Sequence, residues 1–96
     1  MPVDPRISNE QVNDLFKALK ILKDEKDFNK FFQDICTVKE IHDLAQRFAV
    51  ARLLAEGKIY SEIVKETGAS SATVSRVKKA LYYGADGYKI ALEKMK

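Results

Sequence analysis

Residues 60–82 read YSEIVKETGASSATVSRVKKALY, and that stretch decides the fold. It parses as helix, tight turn, helix. Ile63 and Val64 give the first helix an apolar side, and Gly68 can take the positive φ that a sharp turn requires. Ser70 or Ser71 can cap the second helix by accepting a bond from a free backbone N–H. Val74, Val77 and Leu81 recur at i, i+3 and i+7, so they fall on one inward face. The other face carries Ser71, Ala72, Ser75, Arg76 and Lys79, small polar or basic groups. Such a face is poor core but suits the major groove, where short side chains allow close approach and basic ones meet phosphate. The pattern is a helix-turn-helix.

Two short helices joined by a glycine turn also occur as ordinary helical hairpins. Charge separates the two readings. From Thr67 to Ala85 there is no acidic residue, while Arg76, Lys78 and Lys79 lie within that span. A merely solvated helix face mixes signs. The net charge of +3 is small, so basic character has to come from placement. Residues 1–56 carry nine Lys/Arg against ten Asp/Glu, whereas residues 57–96 carry eight against four. The positive half is the half with the helix-turn-helix, as a phosphate-binding surface requires.

Outward from that stretch the chain continues as amphipathic helices. Residues 1–7, MPVDPRI, contain two prolines and read as an extended or single-turn arm. Ser8 with Gln11 has capping-box spacing, and Val12, Leu15, Phe16, Leu19 and Leu22 then follow a helical stripe. Phe28, Phe31, Phe32 and Ile35 form a second stripe after an acidic start at Asp24 to Asp27. Three phenylalanines so close suggest an interface as well as core. Thr37 to Glu40 is a second capping box, opening the longest helix, about Val38 to Glu56. Its end, FAVARLLA from Phe48 to Ala55, is apolar almost all round and must be covered on every side, which points to a second subunit. Gly57 ends that helix, and Gly84 stops the recognition helix. Asp86 can cap a last helix carrying Tyr88, Ala91, Leu92 and Met95. No stretch alternates at period two, so the chain is expected to be all-α. The 96 residues are expected to form one helical domain, with dimerisation helices over 8–57, the helix-turn-helix over 60–83 and a C-terminal helix over 85–96.

The same residues argue against other classes. Cys36 is alone, which fits a reducing cytosol without a disulfide framework, and it reads as a small buried hydrophobe. His42 is the only histidine and reads as a solvated surface residue. Together with Cys36 it cannot furnish the three or four ligands of a zinc site, so no metal or cofactor is expected. No Gly-rich phosphate loop or Ser/His/Asp arrangement stands out, so no enzyme is expected. No apolar leader or membrane-length run occurs, and a cytoplasmic, soluble protein is expected.

The run from Cys36 to Gly84, CTVKEIHDLAQRFAVARLLAEG followed by YSEIVKETGASSATVSRVKKAL, resembles the Trp repressor superfamily. It is most similar to the YerC/YecD branch of Trp repressor-like proteins. The most specific part is GASSATVSR, Gly68 to Arg76, where the Trp repressor has a closely similar Gly-Ala-Gly-Ile-Ala-Thr-Ile-Thr-Arg. The resemblance implies a six-helix, intertwined homodimer that represses transcription through one helix-turn-helix per subunit. By position, Ser71, Ala72 and Ser75 match base-facing residues, while Thr37, Arg47, Thr73 and Arg76 match residues around the tryptophan corepressor. Two positions depart from the family. Val77 stands where the repressor has a glycine beside the indole, and Ala80 where it has a serine near the ligand's amino group. The linker between the long helix and the helix-turn-helix is also one residue shorter.

These readings converge on a dimeric DNA-binding regulator that inserts the helix from Ser71 to about Tyr83 into the major groove of double-stranded DNA. Ser71, Ala72 and Ser75 are expected to face bases, and Thr73, Arg76, Lys78 and Lys79 to engage phosphate or support the helix. Thr37, Arg47, Thr73, Arg76, Val77 and Ala80 outline a possible effector pocket, of unknown ligand and not expected to take tryptophan. The alternative is a helical protein-interaction module whose basic face grips an acidic partner.

Overall fold

The computed structural model describes residues 4–96, so the part of the N-terminal arm at residues 1–3 lies outside the described residues. Among the described residues there are six helices and no strand: α1 Glu10–Ile21, α2 Glu25–Ile35, α3 Val38–Ala55, α4 Tyr60–Thr67, α5 Ser71–Tyr83 and α6 Gly87–Lys94. The all-α expectation holds. The chain divides into two compact units, Met1–Val38 and Lys39–Lys96.

In the first unit, the arm folds into a turn in which the Ile7 N–H bonds the Asp4 carbonyl at 2.9 Å. The cap of α1 is Asn9, whose side chain accepts from the Val12 N–H at 2.8 Å, and not the expected Ser8. Both residue types cap well, and the helix starts one residue later than the Ser8–Gln11 spacing suggests. Asp24 caps α2 by accepting from the Lys26 N–H at 2.8 Å. The rings of Phe31 and Phe32 meet edge-on, with centroids 5.9 Å apart. Neither α1 nor α2 buries a single residue. Most of the two apolar stripes is half-buried, while Phe16 at 50 % and Ile35 at 52 % are exposed, as is Ile21 beside them at 74 %.

Among the described residues, every buried one lies in the second unit. Val50, Ala51, Leu53 and Leu54 of α3 pack with Ile63, Ala69, Val74, Val77 and Leu81, and Tyr88 and Leu92 of α6 close over them. The apolar end of α3 is therefore covered mainly by its own chain. Within FAVARLLA, Val50, Ala51, Leu53 and Leu54 are buried in the chain's own core, Phe48 and Ala49 are half-buried, and Arg52 and Ala55 are exposed.

Gly68 ends α4 at φ 73°, the left-handed conformation that a side chain disfavours. Gly84 ends α5 for a different reason. A Cβ there would run into the backbone carbonyl of Ala80, so only hydrogen fits. Asp86 precedes α6 in the left-handed region, at φ 67°, and makes no side-chain cap bond. Its expected capping role is not realised: the backbone turn carries its carboxylate away from the helix N–H groups and to within 3.8 Å of the Lys89 ammonium. No helix among the described residues is long and apolar enough to cross a membrane.

Candidate nucleic-acid interface

The helix-turn-helix is held at three places. At the turn, the Thr67 hydroxyl donates to the Ile63 carbonyl at 2.7 Å and accepts from the Ala69 N–H at 3.1 Å. From α3, the Gln46 side-chain amide donates to the Thr67 carbonyl at 3.1 Å, bridging the long helix to the turn. At the start of α5, Ser70 accepts from the Thr73 N–H at 3.1 Å and donates to the Thr73 hydroxyl at 3.1 Å. These bonds satisfy turn and helix-end groups that would otherwise go without a partner inside the fold. Beneath them Ile63 and Val74 are fully buried and Val77 is 1 % exposed, so α4 and α5 share one rigid floor with α3.

What α5 leaves outside follows from its 3.6-residue repeat. Ala72, Ser75, Arg76, Lys79 and Tyr83 lie at i, i+3, i+4, i+7 and i+11, one exposed stripe opposite Val74, Val77 and Leu81. Ser71, Lys78 and Tyr82 form the next stripe, on the side of α4. Lys78 is not part of the outermost row. Its ammonium stands 5.4 Å from the centre of the Tyr60 ring, at the first residue of α4. Thr73 turns the other way and is half-buried, its hydroxyl engaged with Ser70. Tyr83, 87 % exposed at the end of the outer stripe, is not singled out by sequence, since an aromatic at a helix end reads equally well as buried.

The ion pairs of this unit lie off α5. Lys39 pairs with Asp43 at 2.8 Å, Arg52 with Glu56 at 3.9 Å, Lys89 with Asp86 at 3.8 Å and Lys96 with Glu93 at 3.4 Å. The hydrogen bond from Lys39 is the main reason the Asp43 carboxyl sits below its ordinary range. Among the described residues Arg76, Lys78 and Lys79 have no carboxylate within ion-pair distance. What sets α5 apart is its sequence: one turn in either direction from Arg76, Lys78 and Lys79 along the helix there is no acidic residue.

The expected effector positions divide. Val77 is core, and its isopropyl group packs in the floor of the unit. Arg47 and Thr73 are half-buried, and Arg76 and Ala80 are exposed. Thr37 belongs to the first unit. An open cavity of about 630 Å³ lies by the C-terminal ends of α3, α5 and α6, between Arg52, Leu81, Lys89 and Leu92, and none of the six expected positions lines it. No group of three or more His, Cys, Asp or Glu that could hold a metal occurs among the described residues. Cys36 is half-buried and His42 is exposed.

Residues 10–96 match the family described as Trp repressor protein. Over its full 96 residues the chain is 47 % identical to a Bacillus subtilis (strain 168) protein described as uncharacterized protein YerC, covering 91 % of that protein. A crystal structure of a TrpR-like protein from Eubacterium eligens ATCC 27750 superposes with a TM-score of 0.91 at 43 % identity, over 96 % of this chain and 95 % of that one. A Staphylococcus aureus protein proposed to be a Trp repressor superposes with a TM-score of 0.88 at 40 % identity, over 94 % and 90 % of the two chains.

Proposed function

The chain belongs to the Trp repressor family, a family of DNA-binding regulators, and from that premise we propose that it is a dimeric transcriptional repressor reading a two-fold operator in the cytoplasm. The observation that carries the reading is the row of cations on α5 left without acidic partners above a buried floor. Phosphate is the partner such a row lacks. Ser71, Ala72 and Ser75 are short enough to bring the helix against base edges, and Arg76 and Lys79 on the outer stripe engage backbone phosphates. Thr73 supports the helix through its clasp with Ser70. The second copy is motivated by the apolar stripes of α1 and α2, which are at most half-buried and put no residue fully out of water.

Titration of a duplex over a range of salt concentrations tests the assignment. Arg76→Ala and Lys79→Ala should each weaken binding on every sequence and lower the salt slope by about 0.9 for each phosphate no longer neutralised. Ser75→Ala should leave the slope intact and change which sequences are preferred. If all three bind any duplex as the wild type does, another surface is responsible. Capture of an acidic protein by the Arg76 and Lys79 row, with no affinity for duplex, would instead favour the interaction-module reading.

A further inference from the structure

Lys78 is held differently from the other two cations of α5, and the difference has a chemical meaning. A lysine side chain has four torsions and normally sweeps a wide volume, so holding it costs freedom unless a neighbour fixes it. Here the neighbour is an aromatic face. The ammonium lies 5.4 Å from the centre of the Tyr60 ring, within the range at which a ring quadrupole attracts a cation. A carboxylate would fix the ammonium too, but would cancel its charge. Glu62 is the nearest acid in sequence to Tyr60, and two residues along a helix point to different sides. Among the described residues no acid pairs with Lys78. The contact therefore orients the charge and leaves it available to an anion.

Its place also matters. Tyr60 opens α4 and Lys78 sits one stripe round from Arg76 and Lys79, so the pair spans the seam between the two helices of the motif. When a recognition helix enters the major groove, the preceding helix crosses the sugar–phosphate backbone. The flank between them faces that strand. We propose that Tyr60 is a positioning residue for DNA binding: its ring holds the Lys78 ammonium on the α4 flank, where it takes a backbone phosphate separate from those met by Arg76 and Lys79. This rests on the DNA-binding reading above.

The test is a double-mutant cycle in duplex binding, with Tyr60→Leu, Tyr60→Phe, Lys78→Ala and the Tyr60→Leu/Lys78→Ala pair, and with Arg76→Ala as a reference. Lys78→Ala should lower the salt slope by about 0.9 per recognition helix. Tyr60→Leu keeps every charge, so it should keep the slope while weakening binding by about two- to fivefold per helix, as expected for an exposed cation–aromatic pair. Tyr60→Phe keeps the ring and should bind as the wild type. In the Lys78→Ala background, Tyr60→Leu should have no further effect. Equal weakening by Tyr60→Leu in both backgrounds would make Tyr60 independent of Lys78 and overturn the proposal, as would wild-type binding by Lys78→Ala while Arg76→Ala is weakened. If Arg76→Ala also binds as the wild type, the DNA-binding reading itself fails. A melting temperature lowered by Tyr60→Leu with affinity unchanged would reduce the residue to a packing role and likewise overturn the proposal.

Discussion

Phe31→Asp is expected to remove the protein's stable folded form at micromolar concentration. In a single chain Phe31 is half-buried against Phe32, and no side chain of α1 or α2 is buried. Two helices of 12 and 11 residues without buried side chains are marginal in water on their own. Their stability has to come from packing, and the proposed second copy would supply the missing apolar surface. A charge placed in such an interface would have no partner and would cost about 3 kcal/mol or more. For the wild type the midpoint of thermal unfolding should rise with protein concentration, because association stabilises only the folded chain. Sedimentation and melting curves over a wide range of concentration check both statements. A wild type that stays monomeric, fully folded and concentration-independent would contradict them. Leu53→Asp serves as the contrast. Leu53 is buried by its own chain, so that variant should fail at every concentration.

The second large effect concerns tryptophan, which is expected not to act as corepressor. Val77 stands where the resembled pattern has glycine, and its side chain is 1 % exposed among Val50, Val74 and Leu81. An indole brought to that place would meet packed hydrocarbon, and close-packed interiors admit extra volume only with strain of about 1–3 kcal/mol. Ala80 also lacks the hydroxyl that a ligand amino group would need. Within the chain itself, Val77 fills the floor beneath α5, and Gln46 ties α3 to the end of α4. Calorimetry with millimolar L-tryptophan should show no saturable heat, and duplex affinity should be unchanged by it. Val77→Gly should cost about 3 kcal/mol, of which about 1 is the helix penalty of glycine and the rest the emptied space. That lowers the melting temperature by more than about 10 °C. Saturable tryptophan binding in the micromolar range by the wild type would refute the account.

The helices were legible in the sequence because their inward residues repeat locally. Val74, Val77 and Leu81 set the buried face of α5, Gly68 its turn and Ser70 its cap, each within a few residues of the feature it determines. Pairings between distant residues were not legible in this way. Gln46 and Thr67 are 21 positions apart, and Tyr60 reaches Lys78 only because of the angle between α4 and α5. Spacing along a chain says nothing of that angle. The same limit applies to FAVARLLA, whose apolar surround implies cover without saying which helices provide it. At the ends of helices the difference is smaller in scale: Ser8 and Asn9 are both good caps, and Asp86 adopts a left-handed backbone that takes its carboxylate off the axis.

The central claim, that two α5 helices related by a two-fold axis read DNA, is tested most directly by selecting bound fragments from a random duplex pool. The account predicts recovery of a palindromic site whose halves lie about one helical turn, roughly 34 Å, apart, with retention that falls steeply as salt rises. Fragments without shared sequence or two-fold symmetry, or no retention even at low salt, would contradict it.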